Sequence, residues 1–189
     1  MSAQDSKLFV ISGPSGAGKG TLVTRVRERR SNLGLTVSAT TRAPRKGEVD
    51  GVNYFFLTRE EFDRRVANGE FVEWAEVHGN CYGTLVSEVQ SKLASGSSLI
   101  LEIDVQGALQ VKERFPEAVL IFIKPPSLEV LRDRLVGRGT ETPETIELRM
   151  ANAAHELALA DRYDDVVVND DLDRATDELV RVLDMHERI

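Results

Sequence analysis

The 189-residue sequence predicts an α/β protein, a parallel sheet core flanked by helices, with an inserted mixed lobe and a small flap. Three observations predict it. Apolar runs recur without alternation at Leu8-Phe9-Val10-Ile11, 99–105, 118–123 and 166–168, the pattern of strands covered on both faces. Helical patterns over 22–30, 86–94, 106–115, 128–136, 143–160 and 171–188 alternate with them, which implies right-handed crossovers. A glycine-rich segment, 13–21, falls between the first strand and the first helix.

Taken in order, the first strand runs into Gly13-Pro14-Ser15-Gly16-Ala17-Gly18-Lys19-Gly20-Thr21. A G-x-x-x-x-G-K sequence in a strand–loop–helix context forms a phosphate cradle. Glycines let successive N–H groups converge on one centre, the helix dipole points its positive end there, and Lys19 adds a full charge. Gly20 stands where Ser or Thr normally ligates Mg²⁺, and Thr21 is the only hydroxyl in reach of that task.

Residues 38–85 break the strand–helix rhythm. Asp50-Gly51 reads as a hairpin turn feeding a strand over 52–57, and Thr58 with Glu61 three residues on caps a short helix. Residues 71–77 then alternate as a further strand. Further on, Thr142 and Pro143 open a helix whose stripe is Ile146, Met150, Ala153, Leu157 and Ala160. Leu172, Ala175, Leu179, Val182 and Leu183 form the buried stripe of the last helix. Residues 134–150 set Arg134, Arg138 and Arg149 around Gly137 and Gly139, as in a hinged, phosphate-seeking flap. No repeat or linker separates these parts. One domain is expected, with a core over 1–37, 86–133 and 151–189, a lobe over 38–85 and a lid over 134–150.

Composition narrows the partners. With 24 basic and 31 acidic residues the net charge is −7, which argues against broad binding to nucleic acid or to an anionic membrane surface. Basic charge is concentrated instead: three of the five residues from Arg42 to Lys46 are basic. A single cysteine, Cys81, cannot pair within the chain, so a reducing cytoplasm is the expected setting. The three histidines lack ligand spacing, and no run approaches the 20 or so apolar residues of a membrane span.

The lobe carries the second constellation. Ser38, Arg42, Arg45 and Tyr54, with Thr40 and Thr41, can grip a phosphate through bidentate and neutral hydrogen bonds. Glu73 can accept two hydrogen bonds from the N1–H and N2–H₂ edge of guanine, with Thr84 donating to O6. Spacing alone also allows Glu73 to be a surface strand carboxylate. Alternation turns Trp74 away from Glu73, and Cys81 beside Tyr82 has no basic partner that would make it a nucleophile. Glu102 and Asp104, two apart at the end of an apolar strand, are expected on one side, at the sheet edge where ligands bind. There they would order water, Mg²⁺ or nucleotide donors, or else pair with arginines structurally.

Together these segments resemble the guanylate kinase family over nearly the whole chain. The resemblance is carried by Gly13–Thr21, by 38–45 (SATTRAPR), by 47–56 (GEVDGVNYFF) and by Glu73–Thr84, and is extended by 103–107 (IDVQG), 134–141 (RLVGRGTE) and 168–172 (VNDDL). It implies the fold of a phosphate-loop nucleoside monophosphate kinase and transfer of the γ-phosphoryl group of ATP to GMP, with dGMP as a second acceptor. It puts the GMP phosphate on Ser38, Arg42, Arg45, Tyr54 and Tyr82, and guanine on Glu73, Thr84 and Asp104. ATP would lie on Gly13–Thr21, with Arg138 and Arg149 closing from the lid and Asn169 near the adenine. Lys19, Arg42, Arg138, Arg149 and an ATP-borne Mg²⁺ would neutralise charge in the transition state. Glu102 departs from the aspartate often found there, being one methylene longer. Two other readings compete: a nucleoside monophosphate kinase with a different acceptor base, and a non-catalytic protein-binding module of the same fold, which would typically show a degraded loop and lid.

Overall fold

The computed structural model describes residues 6–77, 79–137, 139 and 141–187. Strand β1 (Leu8–Ser12) is buried along its whole length and sits at the centre of a five-stranded parallel sheet. Its neighbours are β7 (Leu99–Glu102) and β8 (Val119–Lys124), with β2 (Gly34–Leu35) and β9 (Asp165–Val168) at the two edges. The continuous apolar runs are explained by helices on both faces. On one face α1 (Lys19–Arg29) and α7 (Leu172–Glu187) bury Leu22, Val26, Leu179 and Leu183 against Phe9, Ile11 and Ile121. On the other, α3 (Val86–Ala94) and α4 (Val105–Arg114) bury Val89, Ala108 and Val111 against Val10, Leu101 and Leu120. Each large apolar side chain removed from water here contributes about 1.5–3 kcal/mol.

A second, four-stranded mixed sheet lies within 39–85. Its strands are β3 (Ala39–Thr40), β4 (Phe55–Phe56), β5 (Phe71–Val77) and β6 (Asn80–Leu85), and α2 (Arg59–Ala67) packs Phe62 onto it. Thr58 accepts from the Glu61 N–H as the cap of α2. The hairpin expected over 50–57 does not form: β4 is two residues long and pairs in parallel with β3. Side-chain acceptors have taken the ladder donors. Asp50 Oδ1 accepts from the Phe56 N–H and Asn53 Oδ1 from the Val49 N–H, both at 2.8 Å, and they fold 49–56 into a closed loop. Strand β6, not anticipated, pairs antiparallel with β5, setting Glu73 opposite Thr84.

Helices α5 (Leu128–Gly137) and α6 (Pro143–Leu157) pack on each other through Leu131, Leu135, Met150 and Ala153. Thr142 caps α6 as expected. Among the described residues, no helix is long and apolar enough to cross a membrane.

Candidate active site

Beyond Ser12 the chain turns through 13–18 in a conformation that only glycine accommodates at two points. A Cβ on Gly13 would lie 2.3 Å from the Ile123 carbonyl oxygen, and one on Gly18, at φ +91°, 2.4 Å from Asn169 Nδ2. Gly18 is the N-cap of α1 and supplies no side-chain cap, and no acidic residue occupies the first turn, so the helix presents its N–H groups to an incoming anion. Lys19 folds back over the loop, donating from Nζ to the carbonyls of Gly13 (2.6 Å) and Pro14 (3.2 Å). Behind the loop, buried Asn169 donates from Nδ2 to the Ala17 carbonyl at 2.8 Å, and Arg134 donates to the Asn169 carbonyl at 2.8 Å. Ala17 is buried and Gly16 half-buried, whereas Gly20 and Thr21 are exposed at the start of α1.

Across from the loop, Arg149 on α6 donates to the hydroxyl of Ser15 and pairs with Glu141 at 3.0 Å. Arg138 lies outside the described residues.

Glu102 and Asp104 do not act as a matched pair on one strand face. Strand β7 ends at Glu102, and Asp104 is the N-cap of α4, its Oδ1 accepting from the Gly107 N–H at 2.7 Å. Capping outcompetes strand continuation, and the two carboxylates diverge. Glu102 stands at the start of α1, its Oε1 3.4 Å from where a Cβ on Gly20 would be. Asp104 turns toward Glu73: a Cβ on Gly107 would meet Asp104 Oδ1 at 3.3 Å and Glu73 Oε2 at 3.4 Å. The bare α carbon of Gly107 is what admits both carboxylates.

Glu73 is 8% exposed, and Thr84 Oγ1 donates to its Oε1 at 2.8 Å. Burial raises the Glu73 pKa above the ordinary carboxylate value; the Thr84 hydrogen bond opposes this, and the charge of Asp104 adds to it. The surface-carboxylate alternative is thereby excluded.

At the outer end of the lobe the Arg42 guanidinium lies 5.4 Å from the Tyr54 ring centre and 5.9 Å from that of Phe56. Tyr54 meets Tyr82 edge-on at 6.2 Å. Arg42 donates to the Ala43 carbonyl and to Glu48 Oε1, both at 2.8 Å. Its pKa is raised, chiefly by the Glu48 hydrogen bond, with Tyr82 contributing. The structure thus gathers Arg42, Tyr54 and Tyr82, leaves Arg45 exposed at the rim, and holds Ser38 half-buried, its carbonyl accepting from the Phe55 N–H.

Sequence reading missed three groups on α6. A cleft of about 360 Å³ opens between β5 and α6, lined by Ala75, Val77, Asp104, Asn152, His155 and Glu156 among others. Burial raises the pKa of Glu156; the charge of Lys19 lowers it and that of Asp104 raises it. Glu156 is seven residues, two helical turns, beyond Arg149, and that spacing was the available signal.

A glycine loop at the head of a parallel sheet, facing a separate lobe with a buried carboxylate and an arginine–tyrosine cluster, defines the class of phosphate-loop nucleoside monophosphate kinases. The guanylate kinase family model matches residues 5–186. The chain is 52% identical over 183 residues to a guanylate kinase of Halalkalibacterium halodurans, covering 97% of this chain and 90% of that one. It is 56% identical over 178 residues to one of Gloeobacter violaceus, covering 94% and 87%. The crystal structure of guanylate kinase from Anaplasma phagocytophilum superposes with a TM-score of 0.73 at 36% identity, covering 97% of this chain and 87% of that one. The chain belongs to the guanylate kinase family.

Proposed function

We propose that the chain holds two nucleotides head to head: ATP on Gly13–Thr21 with Arg138 and Asn169, and GMP on Ser38, Arg42, Arg45, Tyr54, Glu73, Tyr82, Thr84 and Asp104. The reaction is that of the family, transfer of the γ-phosphoryl group of ATP to GMP to give ADP and GDP. On this reading 38–85 is the acceptor lobe and 134–150 the lid on a core of 1–37, 86–133 and 151–189.

One observation carries the choice of acceptor, the buried Glu73–Thr84 pair beside Asp104. An ionised Glu73 offers only acceptors, which suit the two N–H donors on the guanine edge. Adenine would present its N1 lone pair to that carboxylate, leaving buried polar groups unpaired.

A GMP phosphate oxygen is already anionic at neutral pH and needs no general base. The work left to the protein is alignment of two mutually repelling anions and compensation of charge in the transition state. Lys19 would exchange its Gly13 and Pro14 carbonyls for nucleotide phosphate, Arg42 would hold the acceptor phosphate, and Arg149 and Arg138 would close from the lid. Closure excludes water, which would otherwise accept the phosphoryl group.

Among the described residues no three side chains form a cage that could hold a metal by themselves. What the structure offers at the start of α1 is the Glu102 carboxylate beside Gly20 and the exposed Thr21 hydroxyl. This sparse oxygen set fits a Mg²⁺ that arrives on ATP and keeps much of its water, with Glu102 and Thr21 as the protein groups that would hold it. Bound there, Mg²⁺ supplies charge neutralisation on the phosphates. A cytoplasmic setting suits the substrates and the lone, buried Cys81.

The deciding experiment is a coupled assay of ADP formation with GMP, AMP, UMP and dTMP as acceptors. GMP should exceed the others in kcat/KM by orders of magnitude; equal turnover of AMP would overturn the assignment.

A further inference from the structure

We infer that Glu48 is a positioning residue for the acceptor phosphate, fixing the Arg42 guanidinium and the Arg45 main chain as one clamp. The inference rests on the acceptor-site reading above and adds a residue to it. Both carboxylate oxygens of Glu48 are engaged: Oε1 accepts from Arg42 at 2.8 Å and Oε2 from the Arg45 N–H at 2.7 Å. In a loop whose neighbouring residues are exposed, the Glu48 side chain is only 19% exposed and that of Arg42 only 16%. The Glu48 N–H in turn donates to the Arg45 carbonyl at 3.0 Å, closing a reciprocal link between the two residues.

Geometry gives this link a purpose. A guanidinium has five N–H donors on one plane and grips a phosphate well only when that plane is held. Here the Ala43 carbonyl and Glu48 each take a donor from a different terminal nitrogen, and the rings of Tyr54 and Phe56 lie beside the group. The remaining donors are then directed by the protein, not by solvent. Glu48 also sets one negative charge beside the Arg42 guanidinium and against the Arg45 main chain, offsetting part of the positive charge of this loop. Consistent with this, its carboxyl is held below the ordinary glutamate range, first by Arg42 and then by the Arg45 N–H.

A different role would make Glu48 a stand-in anion that leaves when phosphate arrives. The Arg45 N–H bond argues against it, because leaving would also dismantle the turn that carries both arginines. The two roles predict opposite signs. If Glu48 positions the clamp, its removal weakens GMP; if it competes with phosphate, its removal tightens GMP.

The test compares the full chain with Glu48→Gln and Glu48→Ala, measuring GMP binding by calorimetry and guanosine as a competitive inhibitor. Guanosine lacks the phosphate and reports the base-reading end alone. Glu48→Gln keeps one acceptor oxygen of the two, and Glu48→Ala keeps neither. GMP affinity should fall roughly tenfold in Glu48→Gln and further in Glu48→Ala, guanosine inhibition and the KM for ATP staying at parental values. Unchanged or tighter GMP binding would overturn the inference, as would equal loss of GMP and guanosine, which marks general damage to the lobe. If the parental chain itself fails to bind GMP, the acceptor-site reading falls, and this inference with it.

Discussion

Thr84 Oγ1 donates to Glu73 Oε1 across the β5–β6 ladder at 2.8 Å, and the two side chains are 1% and 8% exposed. The hydroxyl therefore holds the carboxylate in the orientation in which its other oxygen faces Asp104 and Gly107. Glu73→Gln replaces an acceptor oxygen with an N–H₂ donor that, on the proposed reading, would face the donors of guanine. Steady-state kinetics should show kcat/KM for GMP falling about 10²-fold, at the upper end for a lost hydrogen bond to a charged group. The KM for ATP should move little, and unchanged discrimination between GMP and AMP would remove Glu73 from the base-reading role.

The same carboxyl gives a pH signature. Its folded pKa is raised, mainly by burial, so the native state holds this proton more tightly than the unfolded chain does. The contribution of Glu73 to stability is then fully present below the ordinary glutamate pKa and is lost as pH rises through the raised value. Thermal melts should show Glu73→Gln more stable than the parent at neutral pH, with the gap closing under acid conditions. Binding has the opposite slope: the KM for GMP should rise as acid protonates Glu73.

Lys19→Ala should keep the far-ultraviolet circular dichroism of the parent while kcat falls by about 10³ or more, the loss expected for a donor aimed at transition-state charge. Lys19 Nζ donates to two loop carbonyls, those of Gly13 and Pro14, and lies outside the apolar clusters, so its removal perturbs the loop and leaves the core intact. A folded variant with near-parental kcat would refute the role.

Gly18→Ala should damage the phosphate loop through Asn169. A left-handed backbone at φ +91° costs a side chain roughly 1–2 kcal/mol. The added methyl would also displace Asn169 Nδ2, 2.4 Å away, from the Ala17 carbonyl. Denaturant titration should find the chain destabilised by at least that strain, and the KM for ATP should rise more than the KM for GMP.

Away from the site, Arg30 at the end of α1 pairs with Asp184 and with Glu187 on α7, and the Glu187 side chain is only 4% exposed. Arg30→Met keeps the packing but leaves a buried carboxylate without its cation. Urea unfolding should register a loss of about 3 kcal/mol, typical of one partner removed from a buried pair. Nucleotide KM values should not change.

The main sheet was legible because strands covered on both faces must be continuously apolar, and Leu8–Ile11 and Val119–Ile123 have no other comfortable environment. The phosphate loop was legible because glycine spacing, strand and helix agree. The second sheet was harder to read. Strands β3 and β4 are two residues each, too short for any period, and β6 mixes Asn80, Cys81, Gly83 and Thr84 in a pattern without alternation. The divergence of Glu102 and Asp104 was hidden because a cap bond, visible only in three dimensions, decides it. Nothing in the sequence spacing marks Glu48, whose ties to Arg42 and to the Arg45 N–H exist only once the loop is folded.

Strand β5 begins with neighbours that point into different interiors: Phe71 joins the small cluster with Phe62, and Val72 joins the main one with Leu101 and Val105. Arg114 on α4 reinforces the seam by donating to the carbonyls of Gly69 and Phe71. A segment shared by two interiors ties them together, so losing the Phe71 or Val72 side chain would loosen the small sheet from the large one. Glu73 stands one residue past that tie, whereas Arg42 and Glu48 lie in the loop beyond β3, outside both apolar clusters.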